Sequence, residues 1–197
     1  REGKADILIG TQMIVKGHDF PNVTLVAALA ADMSMFEQDY QSSERTFQLL
    51  QQASGRAGRG EKPGEVIIQT YKPEHYVIES IRKQDDTIFY ENEQAYRRML
   101  GYPPCKAMLR VMISAEKKEE CEEILQNMAK WISQKYAGKV SVLGPSAGGL
   151  RKRKDRFHWQ LMIKGAETET LLGIKEEIMA WMENRPHSCY VQYELDG

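Results

Sequence analysis

The sequence predicts a mixed α/β chain in two parts, and three observations support this prediction. Residues 1–72 contain short apolar runs that end at turn residues, which is typical of buried parallel strands. Residues 105–197 alternate strand and helix patterns in the order β-α-β-β-α-β, a ferredoxin-like arrangement. Residues 73–104 have a helical pattern that stops at Tyr102-Pro-Pro, because proline removes a backbone donor and disfavours helix in the preceding residue. We therefore interpret 73–104 as a helical linker between two domains.

In the first part, three apolar runs predict strands at Asp6–Gly10, Val23–Leu29 and Gly64–Tyr71. Between the last two, a helix capped by Ser42 or Ser43 is predicted to run to about Ala57. Parallel strands joined by helices form open sheets whose ligands lie at the carboxyl ends of the strands. We expect this partial α/β domain to follow that rule.

The linker is predicted as one helix over residues 74–100. Its apolar face would comprise Ile88, Phe89, Ala95, Tyr96, Met99 and Leu100.

In the second part, alternating apolar residues predict four strands, at Ala107–Ile113, Lys139–Leu143, Phe157–Lys164 and Tyr190–Leu195. Amphipathic patterns predict helices at Glu116–Tyr136 and Glu167–Met182, with Trp131 and Trp181 in the core. Residues 144–156 are predicted as a Gly-rich and basic loop. Trp159 is interpreted as a core residue, with stacking on a nucleic-acid base as the alternative.

Composition excludes several classes of protein. The 197 residues contain three cysteines without a C-x-x-C pair, which argues against a disulfide framework or a zinc site, so we assign no metal. The longest apolar stretch, Val23–Ala31, is far too short to span a membrane. The chain has no signal-peptide layout and no initiator Met, so we expect a cytoplasmic piece of a longer protein.

An arginine string follows the first predicted helix. Gln52–Arg59 has the sequence Q-A-S-G-R-A-G-R, with Arg56 and Arg59 three residues apart among glycines. Small residues allow close approach of backbone or phosphate, and arginines stabilise charge that develops on a transferred γ-phosphate. The alternative is a solvated helix end whose cations interact with the helix dipole.

A second polar string, Gly10–Pro21, follows the first predicted strand. Thr11, Lys16 and Gly17 offer a hydroxyl, a cation and close backbone approach, which suit a nucleic-acid phosphate. Asp19 could accept a hydrogen bond from a nucleotide hydroxyl or orient an arginine. The alternative is an ordinary loop between a strand and a helix.

The formal net charge of −1 hides a local concentration of cations. Five of the six positions 151–156 are basic, namely Arg151, Lys152, Arg153, Lys154 and Arg156. Such a run is either a phosphate-binding stripe or a solvated loop.

The two strings resemble motifs V and VI of the superfamily 2 helicases, in which a second RecA-like lobe closes on ATP bound by the first. The wider pattern resembles the bacterial replication-restart helicases. It consists of Gly10–Val26, Asp39–Arg45, the arginine string, Tyr102–Pro104, Leu143–Pro145 and Arg156–Leu161. Residues 1–72 would then be the C-terminal part of the second lobe.

The resemblance implies an ATP-dependent 3′-to-5′ DNA helicase that binds forked and single-stranded DNA and reloads the replicative helicase. Arg56 and Arg59 would contact the γ-phosphate, Gln52 would face the nucleotide and Asp19 would lie near the cleft. Thr11 and Lys16 would lie near the DNA strand. Implied partners are primosome proteins and the single-stranded DNA-binding protein. In the intact protein the implied cofactors are ATP, Mg²⁺ and zinc, the zinc held by residues upstream of this chain.

The sequence contains no G-x-x-x-x-G-K-[ST] string, the loop that cradles phosphates and positions Mg²⁺. We therefore expect that the chain alone does not hydrolyse ATP. Two other interpretations stay open at this point, a non-catalytic DNA- or protein-binding module and a piece of another superfamily 2 translocase.

Overall fold

The structure, a computed structural model, describes residues 6–11, 22–35, 39–58, 63–153, 156–183 and 188–196, without the side chains of 149–153. The chain divides into two compact units, Arg1–Ala95 and Tyr96–Gly197.

Unit 1 contains a two-stranded parallel sheet within its described residues. Strand β1, Leu25–Ala28, pairs with β2, Glu65–Ile68, so that Leu25 lies opposite Glu65. Helix α1, Ser42–Ser54, lies between them in sequence, as a parallel connection requires. Two helices follow, α2 at Tyr76–Lys83 and α3 at Asp86–Leu100, and α3 ends within the residues of unit 2.

The core of unit 1 lies on one face of this sheet. Ala28 and Ile68 pack against a buried cluster from the helices and the 3₁₀ turn Ala31–Ser34. Its centre is a parallel stack of Phe47 from α1 and Phe89 from α3, with ring centroids 4.0 Å apart. Such aromatic pairs add about 0.5–1.5 kcal/mol beyond the burial of their area. The packing therefore joins α1 and the start of α3 over the sheet.

Two predictions for unit 1 are wrong. Asp6–Gly10 forms no strand, and Ile9 is 88% exposed, because an apolar run becomes a strand only where neighbouring backbone accepts its hydrogen bonds. Residues 74–100 form two helices, since Gln84 adopts a left-handed conformation with φ 54° that ends α2. The predicted apolar face of α3 is right for Phe89, which is 2% exposed, and wrong toward the end of the helix, where Met99 is 74% exposed.

Unit 2 has the predicted ferredoxin-like order, which confirms the fold class. Its elements are β3 Ala107–Ala115, α4 Lys118–Lys135, β4 Val140–Arg153, β5 Arg156–Gly165, α5 Thr168–Glu183 and β6 Tyr190–Asp196. The strands form one antiparallel sheet in the order β4-β5-β3-β6, so the first and third strands of the unit lie side by side in its centre.

Both helices of unit 2 pack on one face of the sheet. Alternate residues of β3 (Leu109, Val111 and Ile113) meet the inward residues of α4 and α5 in one buried cluster. Trp131 and Trp181 are partly buried against this cluster, with nearly parallel rings 6.4 Å apart. Trp159 also packs against it, and Lys118 Nζ lies 5.6 Å from its ring centroid. This position supports the core interpretation of Trp159.

The predicted loop at residues 144–156 is largely strand, which corrects the sequence analysis. Strand β4 continues to Arg153 and pairs Arg153 with Arg156, forming a long hairpin with β5. The register shifts between Leu143 and Ser146 and again between Ala147 and Lys152. Gly144 has φ 104°, and proline is tolerated in strands at such bulges because it lacks a donor. Glycine and proline therefore mark bulges here rather than the end of the strand.

Candidate nucleotide and nucleic-acid sites

The arginine string continues α1 into a tight turn, residues 55–58, here called the arginine turn. Helix α1 ends at Ser54, and Arg56 N–H donates to Ala53 O at 3.0 Å. Ala57 N–H donates to Ser54 O at 3.3 Å, so the chain keeps winding in 3₁₀ fashion. Exposed Gln52 and half-buried Arg56 therefore project from successive turns. The structure places Gln52 and Arg56 four residues apart across the end of α1, and their nucleotide contacts stay predictions.

Two glycines hold the arginine turn against the sheet. Gly58 has φ +73°, and a Cβ on it would lie 2.7 Å from Gly64 N. A Cβ on Gly64 would collide with Gly58 N and with the carbonyl carbon of Ala57. Gly58 N–H also donates to Val23 O at 3.0 Å. The backbone of the turn is thus fixed where both strands begin, and the two glycines allow that approach.

The arginine turn lies at the amino edge of the sheet, because Val23 and Gly64 come just before the amino ends of β1 and β2. The reason is the direction of α1, which returns the chain from the carboxyl end of β1 to the start of β2. The end of that helix therefore lies at the amino edge of the sheet. The expectation that ligands lie at the carboxyl ends of the strands stays a prediction.

At the carboxyl edge the structure places Asp32, which the sequence analysis did not single out. Asp32 is 4% exposed, and its Oδ2 accepts a hydrogen bond from Tyr71 N–H at 2.6 Å. Burial opposes its ionisation, but hydrogen bonds from Tyr71 and Thr70 outweigh it and lower the pKa of Asp32. The carboxylate ties the turn after β1 to the loop after β2. Its sequence signal was an acid directly after the apolar run 23–31.

The segment Asp39–Arg45 stabilises the start of α1. Asp39 Oδ2 lies 2.6 Å from Arg45 Nη2, and Asp39 Oδ1 accepts a hydrogen bond from Gln41 N–H. Gln41, not Ser42 or Ser43, is the N-cap residue, and its side chain makes no capping bond. Ser42 Oγ instead donates to Met35 O at 3.0 Å.

Several predicted site residues lie outside the part of the chain that the structure describes. These are Lys16, Gly17, Asp19, Arg59 and Lys154. Thr11 is described and is exposed, at the end of the segment 6–11. Arg151, Lys152 and Arg153 lie in β4, but their side chains are not described. The predicted roles of all these residues stay predictions.

Arg156 is held by the protein itself. Its Nη2 donates to Ser114 O at 2.8 Å and lies 3.2 Å from Ser188 O, which also accepts. Its Cζ lies 5.0 Å from the ring centroid of Tyr190. Ser188 is fixed from its other side by Glu120, whose carboxylate accepts from the Ser188 N–H and hydroxyl. Arg156 therefore joins the end of β3 and the start of β5 to the residues just before β6. The sequence analysis missed this structural contribution.

The described residues offer neither a metal-binding cluster nor a membrane-spanning helix. In the described ranges no three His, Cys, Asp or Glu side chains are placed to hold a metal ion. Cys121 is buried, and burial raises the pKa of its thiol to about 11, so it stays protonated near neutral pH. No described helix is long and apolar enough to cross a membrane.

The described residues define an α/β unit with an arginine turn between α1 and β2, followed in sequence by a ferredoxin-like unit. Comparison with known proteins agrees. Residues 1–61 match the helicase conserved C-terminal domain, and residues 98–196 match the primosomal protein N C-terminal domain. The chain belongs to the primosomal protein N family, which confirms the resemblance noted from the sequence.

Curated relatives match nearly the whole chain. The replication restart protein PriA of Bacillus subtilis is 43% identical over 195 residues, which are 99% of this chain and 24% of that protein. PriA of Synechocystis is 42% identical over 100% of this chain and 23% of its own length. PriA of Haemophilus influenzae is 35% identical over 87% of this chain and 23% of its own length. The chain thus spans about a quarter of the length of the relatives it matches.

Proposed function

We propose that the protein containing this chain is an ATP-dependent 3′-to-5′ DNA helicase that restarts replication at forks. The observation that carries the proposal is the arginine turn, held backbone to backbone by Gly58 and Gly64 beside exposed Gln52. A fixed backbone favours an arginine that acts on a phosphoryl group, because catalysis there is positioning plus charge stabilisation. The names of the relatives, which are replication restart proteins, agree with this assignment.

In this proposal the chain supplies one half of a composite ATP site. Arg56 and Arg59 face the γ-phosphate, Gln52 contacts the nucleotide, and Asp19 lies at the edge of the cleft. The half that cradles the phosphates and Mg²⁺ belongs to another lobe, because this sequence has no G-x-x-x-x-G-K-[ST] string. The chain by itself is therefore expected not to hydrolyse ATP. Closure of the two lobes around ATP moves them along single-stranded DNA.

The same proposal assigns DNA contacts to both units. Thr11, Lys16 and Gly17 contact the DNA backbone, and so do the cations of the β4–β5 hairpin, Arg151 to Lys154. Four successive cations favour contacts with phosphates, and the strength of such contacts falls as the salt concentration rises. The proposed partners are forked and single-stranded DNA, primosome proteins and the single-stranded DNA-binding protein.

The test is Arg59→Ala in the complete protein. We expect ATP-driven unwinding to be lost and binding to forked DNA to be kept, because arginines at this position contribute about 10³- to 10⁵-fold to phosphoryl transfer. Arg82→Ala is the matched control, since the Arg82 side chain is 70% exposed and lies 3.9 Å from Glu79 in a surface ion pair. Unwinding at the normal rate by the Arg59→Ala protein would contradict the proposed role.

A further inference from the structure

The last turn of α1 leads directly into the arginine turn, and Gln51 lies in that last turn. The main-chain carbonyl of Gln51 accepts a hydrogen bond from Gly55 N–H at 3.0 Å. The Ser54 hydroxyl donates to the same carbonyl oxygen, also at 3.0 Å. Gly55 is the first residue of the arginine turn, so the position of Gln51 sets where the turn begins.

The Gln51 side chain joins this end of α1 to the start of α3. Its Nε2 donates to Asp86 Oδ2 at 2.9 Å. Asp86 is the first residue of α3, where the positive end of the helix dipole favours a carboxylate. A bond from an amide to a carboxylate is charge-assisted and therefore stronger than one between neutral groups. Both residues are exposed, so this link lies outside the core of unit 1.

The acceptor is itself held in place at the junction of α2 and α3. Asp85 caps α3, because its Oδ1 accepts a hydrogen bond at 3.0 Å from the backbone N–H two residues on. The hydroxyl of Ser80, a fully buried residue of α2, donates to Asp85 O at 2.7 Å. About one turn along α3, Phe89 stacks on Phe47 of α1. Asp86 therefore starts from a fixed backbone.

An open cleft of about 290 Å³ lies beside the hydrogen bond, between the end of α1 and the junction of α2 and α3. Gln51 and Gly55 line one side of it, and Ser80, Gln84 and Asp86 line the other. Close packing fixes side chains where no such space is left. At this cleft the bond between Gln51 and Asp86 joins the two walls instead.

We infer that Asp86 is a positioning residue for the arginine turn and that it acts through Gln51. The turn is then attached at both ends. Its last residue, Gly58, donates to Val23 O, and its first, Gly55, is linked through Gln51 to Asp86. Attachment at one end alone would leave the turn free to pivot, and a displacement of about 1 Å at a catalytic group costs about 100-fold in rate. This inference rests on the function proposed above.

The experiment measures kcat and the KM for ATP in DNA-dependent hydrolysis by the complete protein. Gln51→Glu places two carboxylates together and breaks the bond. We expect kcat to fall by roughly 10-fold with little change in KM, because the arginines act on the transition state. The loss is smaller than that for a 1 Å displacement, since the attachment at Gly58 remains. Binding to forked DNA should be kept.

Two further variants test the pair itself. Asp86→Asn alone keeps an acceptor oxygen for the Gln51 amide and should hydrolyse ATP at the normal rate. Gln51→Glu combined with Asp86→Asn reverses the direction of the bond, with one donor and one acceptor again present, and should recover kcat. Recovery by a second substitution is expected only if the two side chains act through each other.

Gln48→Glu is the matched control. Gln48 is an exposed glutamine of the same helix, and its Nε2 donates to Glu44 Oε1 one turn earlier in α1. The same substitution there adds the same charge and breaks the same kind of bond, but it leaves the link to α3 intact. We therefore expect kcat to be unchanged in this variant.

The outcomes separate this inference from the proposed function. Normal kcat in Gln51→Glu, in an assay where Arg59→Ala has lost hydrolysis, would overturn the positioning role alone. A loss in Gln51→Glu that Asp86→Asn does not restore, or an equal loss in Gln48→Glu, would do the same. Normal hydrolysis by Arg59→Ala would overturn the proposed function and the positioning role together.

Discussion

The substitution Gly64→Ala tests whether the backbone contact under the arginine turn sets the position of the arginines. A Cβ on Gly64 would lie 2.7 Å from Ala57 Cβ and would collide with Gly58 N. Carbon atoms pack at about 3.5–4.0 Å, so the turn must retreat by roughly 1 Å. Overpacking of this kind costs about 1–3 kcal/mol of stability. A displacement of about 1 Å at a catalytic group costs about 100-fold in rate.

Two measurements follow from those magnitudes. In the complete protein we expect DNA-dependent ATP hydrolysis to fall by about 100-fold, with binding to forked DNA unchanged. In the 197-residue chain we expect the urea-unfolding transition followed by circular dichroism to shift to lower urea. The three tryptophans, at 131, 159 and 181, all lie in unit 2, so their fluorescence reports on that unit alone.

Gly173→Ala is the matched control for this substitution. Gly173 lies within α5, and a Cβ there would meet nothing within 4 Å. Alanine is the better helix former, so this variant should gain about 0.5–1 kcal/mol, measured by tryptophan fluorescence. Normal ATP hydrolysis by Gly64→Ala, together with an unshifted unfolding transition, would refute the reasoning about the turn.

Two further predictions concern stability. Arg156→Met removes the bonds to Ser114 O and Ser188 O and should destabilise unit 2 by about 1–3 kcal/mol, measured by urea unfolding with tryptophan fluorescence. An unchanged midpoint would show that those bonds contribute nothing. The pKa of Asp32 is lowered from 3.8, so its stabilisation is present above that value and is lost as pH falls through the folded pKa. Urea unfolding of the 197-residue chain followed by circular dichroism should give a lower midpoint at pH 3 than at pH 5, and Asp32→Asn should reduce that difference; an equal acid loss in the variant would contradict the assignment.

Periodicity predicted unit 2 well because its strands and helices bury one face each. The inward residues Leu125, Met128 and Ile132 of α4 recur at helical spacing and are all fully buried. The β4–β5 hairpin was the exception, because Gly144 and Pro145 are turn signals in sequence but form a bulge in the sheet. Whether such residues end a strand or bend it depends on the partner strand, which local sequence does not contain.

The secondary structure of unit 1 was harder to predict, because the pairing and burial of its residues depend on segments that are distant in sequence. The run Asp6–Gly10 has the composition of a buried strand, and the described chain gives it no pairing. In α3 the buried residues are Phe89, which was predicted, and Glu93, which was not; the Glu93 carboxylate accepts a hydrogen bond from Tyr76. A buried acid is tolerated only beside a donor, and that donor comes from another helix.

The amino-acid sequence by itself determined the two-part organisation, the ferredoxin-like order and the family, because periodic burial and the helicase-like strings are local properties of the chain. It also placed Gly55 and Gly58 beside Arg56 in the arginine string. Only the tertiary structure decided that Gly58 meets Gly64 at the amino edge of the sheet and that Arg156 is held by backbone carbonyls. Those contacts join residues distant in sequence, and their geometry is set by how the helices return across the strands.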